Sequence, residues 1–192
     1  QFDAVGYDWD GDGRAEVLMR GADNMVIHKA DGTTQEIGNM ALDTRWSGME
    51  YTNTGAEYLL YLDGQTAEPY VVMDYPLPRY DAGETQNEEL IWGSGTPGHR
   101  PTKHFFGAPF LDGRKASIFL ARGIYTREKM VALDVDPATH QLTERWRWKC
   151  YDGWTNPWFG QGFHNFGIAD VDMDGRDEIV YGAMVIDDNG QG

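Results

Sequence analysis

Two acidic segments of the sequence carry the residue types that bind a hard cation. Residues 8–16 read DWDGDGRAE and residues 170–178 read DVDMDGRDE, so aspartates recur at positions one, three and five. At this spacing they can surround a divalent ion, while glycine at position six permits a sharp turn and the carbonyl at seven can coordinate. The predicted ligands are Asp8, Asp10, Asp12, Arg14 and Glu16 in the first acidic loop (8–16), and Asp170, Asp172, Asp174, Arg176 and Glu178 in the second (170–178).

The place of the glutamate distinguishes these loops from an EF-hand. An EF-hand has its bidentate glutamate at position twelve and continues into a helix, whereas Met19 and Tyr181 stand at position twelve here. Arg14 and Arg176 would coordinate only through their carbonyls. We therefore predict two β-type loops with Ca²⁺ as the cofactor, and Mg²⁺ is disfavoured because a cage rich in protein oxygens suits the larger ion. The alternative is a solvent-exposed acidic turn, and even a bound ion is expected to be structural rather than catalytic.

The middle of the chain is basic, although the whole chain has 16 Lys+Arg against 31 Asp+Glu and a net charge of −15. Between residues 96 and 129 there are seven lysines and arginines and only two acids. Such an asymmetry is the footprint expected of an anionic ligand. The alternative is that these cations, carried on strands, simply face water.

Two short segments combine glycine with polar and aromatic side chains. Residues 122–127 read RGIYTR and residues 160–165 read GQGFHN. This mixture can hold a carboxylate bidentately and hydrogen-bond sugar hydroxyls, although each segment could equally be a turn whose polar groups are satisfied locally. Four tryptophans offer flat faces to sugar rings, but we expect at least half of them to belong to the core: Trp146, Trp148, Trp154 and Trp158.

The elements that position these residues are predicted to be strands. Glycine is frequent, at 24 of 192 residues, and apolar runs of strand length lie between the glycine-containing turns. Asp-Gly pairs at 31, 63, 112 and 152 separate several of these runs. No run shows three turns of helical periodicity, so the sequence predicts an all-β fold. The predicted strands are 16–19, 57–62, 69–73, 116–121, 130–135, 142–148 and 178–181.

The internal repeat predicts a β-propeller. Both acidic loops lead into an apolar strand, and a weaker copy, LDGR at 111–114, lies between them. Repeated strand–loop–strand units with a period of about 40–50 residues indicate propeller blades. We therefore expect residues 1–192 to form a single partial propeller domain of about four blades, whose open edges are covered by the missing blades of a longer chain or by a second copy. The alternative fold is a β-sandwich with two similar loops.

Composition argues against several classes of protein. The acidic balance disfavours nucleic-acid binding, and no run approaches the ~20 apolar residues of a membrane-spanning helix. No G-x-S-x-G elbow, zinc spacing or phosphate-cradling loop supports a serine hydrolase, a zinc enzyme or a nucleotide enzyme. The single cysteine, Cys150, cannot form an internal disulfide.

Taken together, the two acidic loops, the 122–127 and 160–165 segments, the WRW of 146–148 and the run 168–184 resemble bacterial rhamnogalacturonan lyase of polysaccharide lyase family 11. The resemblance extends over nearly the whole chain, and the run 168–184 is its most specific part. It implies part of an eight-bladed, calcium-rich propeller that cleaves the rhamnose–galacturonic acid backbone of pectin, rhamnogalacturonan I, by β-elimination. It also implies export to the periplasm, the cell surface or the medium.

Calcium-assisted β-elimination at galacturonate requires a positive charge that neutralises the carboxylate and a base that removes the C5 proton. The candidate bases are His164, Tyr125, His104 and Lys103, and the candidate carboxylate clamps are Arg122 and Arg127. The predicted substrate contacts are Asn165, Gln161 and Arg100. The alternative function is a non-catalytic calcium-binding β-propeller of adhesin or lectin type, in which the same aromatic and arginine residues only bind acidic polysaccharide.

Overall fold

Short strands and one short helix form the regular structure of the computed structural model, which describes residues 4–44, 54–93, 98–151 and 156–192. In chain order the elements are β1 (Ala4–Tyr7), β2 (Glu16–Ala22), β3 (Met25–His28), β4 (Thr34–Ile37), β5 (Glu57–Asp63), β6 (Pro69–Asp74), α1 (Glu88–Trp92), β7 (His104–Gly107), β8 (Ile118–Arg122), β9 (Glu128–Val135), β10 (Leu142–Cys150), β11 (Phe166–Ala169), β12 (Glu178–Tyr181) and β13 (Met184–Ile186). Within the described ranges, no helix is long and apolar enough to cross a membrane.

All seven predicted strands are present, as β2, β5, β6, β8, β9, β10 and β12. The six strands that sequence reasoning missed are each three or four residues long, a length at which the apolar pattern is a weak signal, and β12 is the one described strand of this length that was predicted. The helix α1 was missed for the same reason. It begins at Asn87, whose side chain accepts from the Leu90 amide at 3.1 Å, and ends at Gly93 in the left-handed conformation.

The strands form separate antiparallel sheets. The first sheet has the order β1-β2-β5-β6, and β3 and β4 form a hairpin inserted between β2 and β5. The second sheet has the order β10-β9-β8-β7, and the third has the order β11-β12-β13. In the second sheet the register places His104 opposite Arg122, and Arg122 opposite Lys129. Basic residues therefore form a row across neighbouring strands.

The all-β prediction is correct, but the β-propeller prediction is wrong. Among the described residues the sheets are small and separate, and none is closed or propeller-like. The two acidic loops that suggested equal blades lie in sheets of different size. The first joins β1 to β2 in a four-stranded sheet, and the second joins β11 to β12 in a three-stranded sheet. The repeat therefore reports a shared loop rather than a shared four-stranded unit, and the expectation of missing blades falls with it.

The second sheet is buried on both faces. Ile118 and Leu120 of β8 pack with residues of the first sheet, whereas Phe119 and Ala121 pack with residues of the third. Trp146 is buried in the latter cluster, with Trp148 and Trp158 partly buried against it, so the expected core role of the tryptophans is confirmed for these three; Trp154 lies outside the described residues. Burial on both faces explains why β8 and β9 read as continuous apolar runs.

The acidic loops and the 122–127 and 160–165 segments lie at opposite ends of the strands. The first acidic loop contacts the β9–β10 turn through Asp10 and His140, and the second contacts the β7–β8 loop at Phe110. At the other end, β8 runs into residues 122–127 and residues 160–165 precede β11. The length of β9, eight residues, separates the two ends by about 23 Å.

Candidate functional site

Three loops converge at the end of the strands opposite the acidic loops. Residues 98–103 meet residues 123–127 through a hydrogen bond from the Gly123 amide to the Lys103 carbonyl at 3.0 Å. The Tyr125 amide donates to the Gly162 carbonyl at 3.1 Å, which joins 123–127 to 160–165. These backbone contacts build the tyrosine–histidine site, defined here as the loops 98–103, 123–127 and 160–165.

The centre of this site is a hydrogen-bonded pair formed by the Tyr125 hydroxyl and the His164 Nε2. Their ring centroids lie 5.3 Å apart, and the exposed Phe163 ring packs edge-on against both. Tyr125 has a φ of 65°, a left-handed conformation that costs a non-glycine residue about 1–3 kcal/mol. Which partner donates depends on the tautomer of the histidine ring.

His99 is a member of the site that sequence reasoning missed. Its ring lies 6.4 Å from the His164 ring between centroids. Burial, followed by the charges of Lys103, His164 and Arg100, lowers the pKa of His99 below its ordinary value. His99 could have been identified from the sequence by its position in the basic middle of the chain, directly before Arg100.

The remaining predicted site residues of these loops lie around the pair. Arg100 donates from Nη1 to the Trp92 carbonyl at 2.9 Å. Gln161 donates from Nε2 to the Pro157 carbonyl at 3.4 Å. Asn165 is exposed, and its Oδ1 accepts from the following backbone amide at 2.9 Å. The three loops therefore carry seven of the nine predicted catalytic and substrate-binding residues: Tyr125, Arg127, His164, Lys103, Arg100, Gln161 and Asn165.

Arg122 lies apart from this group, in a buried ion cluster. Its side chain is 0% exposed, and Nη1 donates to Glu57 Oε2 at 2.6 Å and to the Leu77 carbonyl at 2.8 Å. Glu57 also pairs with Arg20 at 2.6 Å and Arg79 at 3.1 Å. Burial alone would raise the pKa of Glu57, but Arg122, Arg79 and Arg20 outweigh it and hold that pKa well below its ordinary value. The guanidinium of Arg122 is therefore ion-paired with a carboxylate of the protein itself, and its role as a substrate clamp stays a prediction.

His104 belongs to the same cluster. It is almost completely buried, its Nε2 lies 3.9 Å from Glu57 Oε1, and its ring packs edge-on against Tyr75 at 5.0 Å. Burial and then the charge of Arg122 lower the pKa of His104 well below its ordinary value, so the ring is neutral. The described contacts of the ring are with Glu57 and Tyr75, and the assignment of His104 as a base stays a prediction.

Arg127 and the neighbouring Lys129 are also partnered inside the protein. Arg127 pairs with Glu84 at 2.8 Å and lies 3.9 Å from the centroid of the Tyr151 ring. Lys129 donates to Asp81 at 2.8 Å, and its burial, opposed by Asp81, lowers its pKa to about 8. The basic middle of the chain thus supplies internal ion pairs, and the clamp role of Arg127 stays a prediction.

The first acidic loop brings four carboxylates to one place. Asp8, Asp10, Asp12 and Glu16 each offer an oxygen within 4.8 Å of the others. Glu16 is buried, and its Oε2 accepts from the Trp9 amide at 2.8 Å. Burial raises the pKa of Glu16, and the Trp9 amide partly opposes this. An all-oxygen set of this kind fits Ca²⁺.

The second acidic loop brings together fewer carboxylates than the first. Asp170, Asp172 and Asp174 offer oxygens within 4.8 Å of one another, but Glu178 is not part of the group. Glu178 Oε2 accepts from the Val171 amide at 2.5 Å, whereas its Oε1 is buried with no hydrogen-bond partner. The guanidinium of Arg176 pairs with Asp188 at 2.7 Å. The three aspartates by themselves offer an all-oxygen set that fits a hard cation.

The geometry limits what an ion in these loops could do. His140 Nε2 lies 3.0 Å from Asp10 Oδ2, at the turn between β9 and β10, so the first loop is tied to the far end of the central sheet. The tyrosine–histidine site begins at the opposite end of β9, about 23 Å away. An ion in either loop would therefore stabilise the strands it joins without touching a substrate at the tyrosine–histidine site.

Comparison with known proteins finds relatives that match nearly the whole chain. Residues 2–192 match the family described as Rhamnogalacturonan lyase family 11, C-terminal domain. The chain is 38% identical over 186 residues to the rhamnogalacturonan exolyase YesX of Bacillus subtilis (strain 168), and 34% identical over 186 residues to the rhamnogalacturonan endolyase YesW of the same organism. Each alignment covers 97% of this chain and 28% of the relative.

Solved structures give the same result. The crystal structure of the rhamnogalacturonan lyase YesW superposes with a TM-score of 0.82 at 33% identity, and that of a Bacillus licheniformis rhamnogalacturonan lyase with a TM-score of 0.82 at 34% identity. Both superpositions cover 100% of this chain and 30% of the other. The chain thus spans less than a third of the length of the relatives it matches.

Proposed function

The chain belongs to rhamnogalacturonan lyase family 11, as its C-terminal domain, and on this premise we propose that the full-length protein cleaves the rhamnogalacturonan I backbone of pectin by β-elimination at galacturonic acid. The observation that carries the proposal is the hydrogen-bonded pair of Tyr125 and His164, held where three loops converge. We also propose that the protein is exported, since its polymeric substrate lies outside the cell.

In the proposed reaction the pair removes the C5 proton of galacturonate. The electrons of the C5–H bond form the C4–C5 double bond, and the C4–O4 bond breaks toward the departing sugar oxygen. That oxygen takes up a proton, and the pair, which holds the proton removed from C5, is placed to supply it. Such positioned proton transfer contributes roughly 10²–10⁴-fold to rate.

The positive charge that acidifies the C5 proton is assigned to Lys103 and Arg100. Both act on the electrostatic environment of His99, whose ring lies beside His164. This assignment is favoured over the Arg122 and Arg127 clamps because those two guanidinium groups are buried against Glu57 and Glu84. Gln161 and Asn165, on the His164 loop, are assigned to hydroxyl groups of the sugar.

Ca²⁺ is proposed for both acidic loops in a structural role. The Asp8, Asp10, Asp12 and Glu16 oxygens would hold it in the first loop, and the three aspartates of the second loop would hold it there. When bound, the ion neutralises carboxylates that otherwise repel one another. Calcium assistance to the chemistry itself is not assigned to these loops, because β9 separates them from the tyrosine–histidine site.

The experiment is an elimination assay on the full-length protein with rhamnogalacturonan I. Cleavage produces an unsaturated uronate, which is followed by its ultraviolet absorbance. Tyr125→Phe and His164→Gln should each lower kcat at least 100-fold, since each removes one proton carrier of the pair. Tyr7→Phe and His28→Gln, at the far end of the strands and on the exposed β3 hairpin, are the matched controls and should leave kcat within about twofold. Binding of the polysaccharide without any unsaturated product would instead favour the lectin-type alternative.

A further inference from the structure

A buried glutamate lies directly beneath the loop that carries His164. Glu128 is the first residue of β9, is 0% exposed, and stands opposite the buried Cys150 of β10. Its Oε1 accepts from the Gly162 amide at 3.1 Å, and its Oε2 is buried with no hydrogen-bond partner among the described residues. Desolvation, only partly offset by the Gly162 amide, raises the pKa of Glu128 to about 8. Burial at this place therefore favours the uncharged carboxylic acid over the carboxylate.

Gly162 is held from both sides. Its amide donates to Glu128, and its carbonyl accepts from the Tyr125 amide at 3.1 Å. A Cβ at position 162 would come within 2.6 Å of Glu128 Cγ, so only glycine allows the carboxyl to approach this backbone. Because Gly162 stands two residues before His164 and is bonded to Tyr125, its placement fixes both members of the pair.

A second contact to the backbone of the same loop, from Gly182, also restrains its position. Gly182, between β12 and β13, lies in the left-handed conformation and presses against the Gln161 carbonyl. Phe163 and His164 themselves are exposed, so no apolar core holds them. Glu128 is the buried side chain whose hydrogen bond reaches this loop from the central sheet.

We propose that Glu128 is a positioning residue of the lyase reaction: its buried carboxyl oxygen accepts from the Gly162 amide and thereby sets the geometry of the Tyr125–His164 pair. The role requires an acceptor oxygen at this place, not a negative charge. It rests on the proposed function, because the pair is assigned there to proton transfer. Glu128 is not a catalytic residue, since the Gly162 backbone lies between it and the site.

The test compares two replacements of similar size in the full-length protein. Glu128→Gln keeps an acceptor oxygen for the Gly162 amide, whereas Glu128→Met fills the space and removes the acceptor. We expect kcat within threefold of the original for Glu128→Gln, and at least a tenfold loss of kcat with KM changed less than threefold for Glu128→Met. Val131→Ala, a buried substitution on the same strand, is the control for general destabilisation and should lower the thermal midpoint without lowering kcat well below that midpoint.

Two outcomes would overturn the proposal. An unchanged kcat in Glu128→Met would show that the hydrogen bond to Gly162 does not position the pair, and an equal loss in Glu128→Gln would show that the carboxylate itself is needed. Hydrogen exchange of the Gly162 amide gives a readout independent of lyase activity. That exchange should be at least tenfold faster in Glu128→Met than in Glu128→Gln. If the unmodified protein cleaves no rhamnogalacturonan, the proposed function fails, while equal exchange rates in the two variants would still reject the positioning role by itself.

Discussion

At Glu57, one carboxylate joins three arginines in the interior. Its side chain is 6% exposed and contacts Arg20, Arg79 and Arg122 within 3.1 Å. Two ionised partners removed from water repay their desolvation only when the geometry is good, and breaking such a cluster leaves uncompensated charge. Glu57 therefore ties β5 to β2, to β8 and to the segment after β6, and its contribution is to the fold.

Replacing Glu57 by Gln should lower the free energy of unfolding by about 3–5 kcal/mol, because the arginines would remain buried without their counter-charge. Urea unfolding at pH 7 measures this. The control is Glu68→Gln, whose carboxylate pairs with Lys29 at 2.7 Å but is more than half exposed. The control should change the free energy of unfolding by less than about 1 kcal/mol. A loss below about 1 kcal/mol in Glu57→Gln would contradict the cluster's stabilising role.

Glu128 makes stability depend on pH with a definite sign. Its pKa is raised from 4.5 to about 8 in the folded state. As pH rises above 4.5 the unfolded chain releases this proton while the folded chain keeps it, so the free energy of unfolding falls with pH up to about pH 8 and stays at that lower value above it. Below pH 4.5 both states hold the proton and the effect vanishes.

Glu128→Gln should therefore gain stability relative to the original protein as pH rises from 5 to 8, by at most about 4 kcal/mol at pH 8. Chemical unfolding at several pH values measures the difference. Glu89→Gln, which removes an exposed carboxylate of α1, serves as the control for loss of a surface acid and should change stability far less than Glu128→Gln at pH 8. If the difference in free energy of unfolding between Glu128→Gln and the original protein were constant over this pH range, the raised pKa of Glu128 would be ruled out.

At the scale of elements, the acidic loops act as connections between strands. The first joins β1 to β2 and contacts the turn after β9, and the second joins β11 to β12 and contacts the β7–β8 loop through Asp177. Each loop thus links an outer sheet to the central one. A cation that neutralises the loop would stabilise this link as well as the loop itself.

A chelator should accordingly lower the thermal midpoint by several degrees, since binding to the folded state alone adds RT ln(1 + [L]/Kd) to stability. Differential scanning fluorimetry with and without added Ca²⁺ measures the shift. A double variant, Asp10→Asn with Asp172→Asn, should have a low midpoint that neither chelator nor Ca²⁺ changes. If the original protein is equally insensitive, structural calcium is excluded at both loops.

At the scale of the whole molecule, the proposed metal loops and the tyrosine–histidine site lie at opposite ends of the central sheet. The strand β9 spans about 23 Å between them. Charge is also divided: the acidic loops lie at one end, and His99, Arg100 and Lys103 lie at the other. A chain of net charge −15 therefore carries its acidic and basic residues at different ends of the central sheet.

This separation predicts that loss of the second loop's ion affects stability but not the chemical step. Asp172→Asn in the full-length protein should lower the thermal midpoint while kcat on rhamnogalacturonan I, measured well below that midpoint, stays within about twofold. Steady-state kinetics at saturating Ca²⁺ and at saturating chelator would check it. A tenfold loss of kcat without unfolding would show that this ion takes part in the reaction.

Sequence patterns were sufficient for the strands of five or more residues and for the two acidic loops. Alternating or continuous apolar runs report burial directly, and so 116–121 and 130–135 predict β8 and β9. The spacing of aspartates likewise determines which oxygens can meet, because the residues of one loop are close in space whatever the rest of the chain does. The family resemblance is confirmed over residues 2–192.

Only the tertiary structure decided which distant residues meet. Tyr125 lies against His164, and His99 lies beside them. Arg122 and His104 are instead buried in the cluster around Glu57, a residue that no sequence motif indicated. The strands also form separate sheets of different size, not the predicted ring of equal blades. Long-range pairing depends on which sheet faces which, and a repeated loop constrains only its own backbone. The sequence therefore determined the local chemistry, whereas the packing of the sheets determined which of those residues form a site.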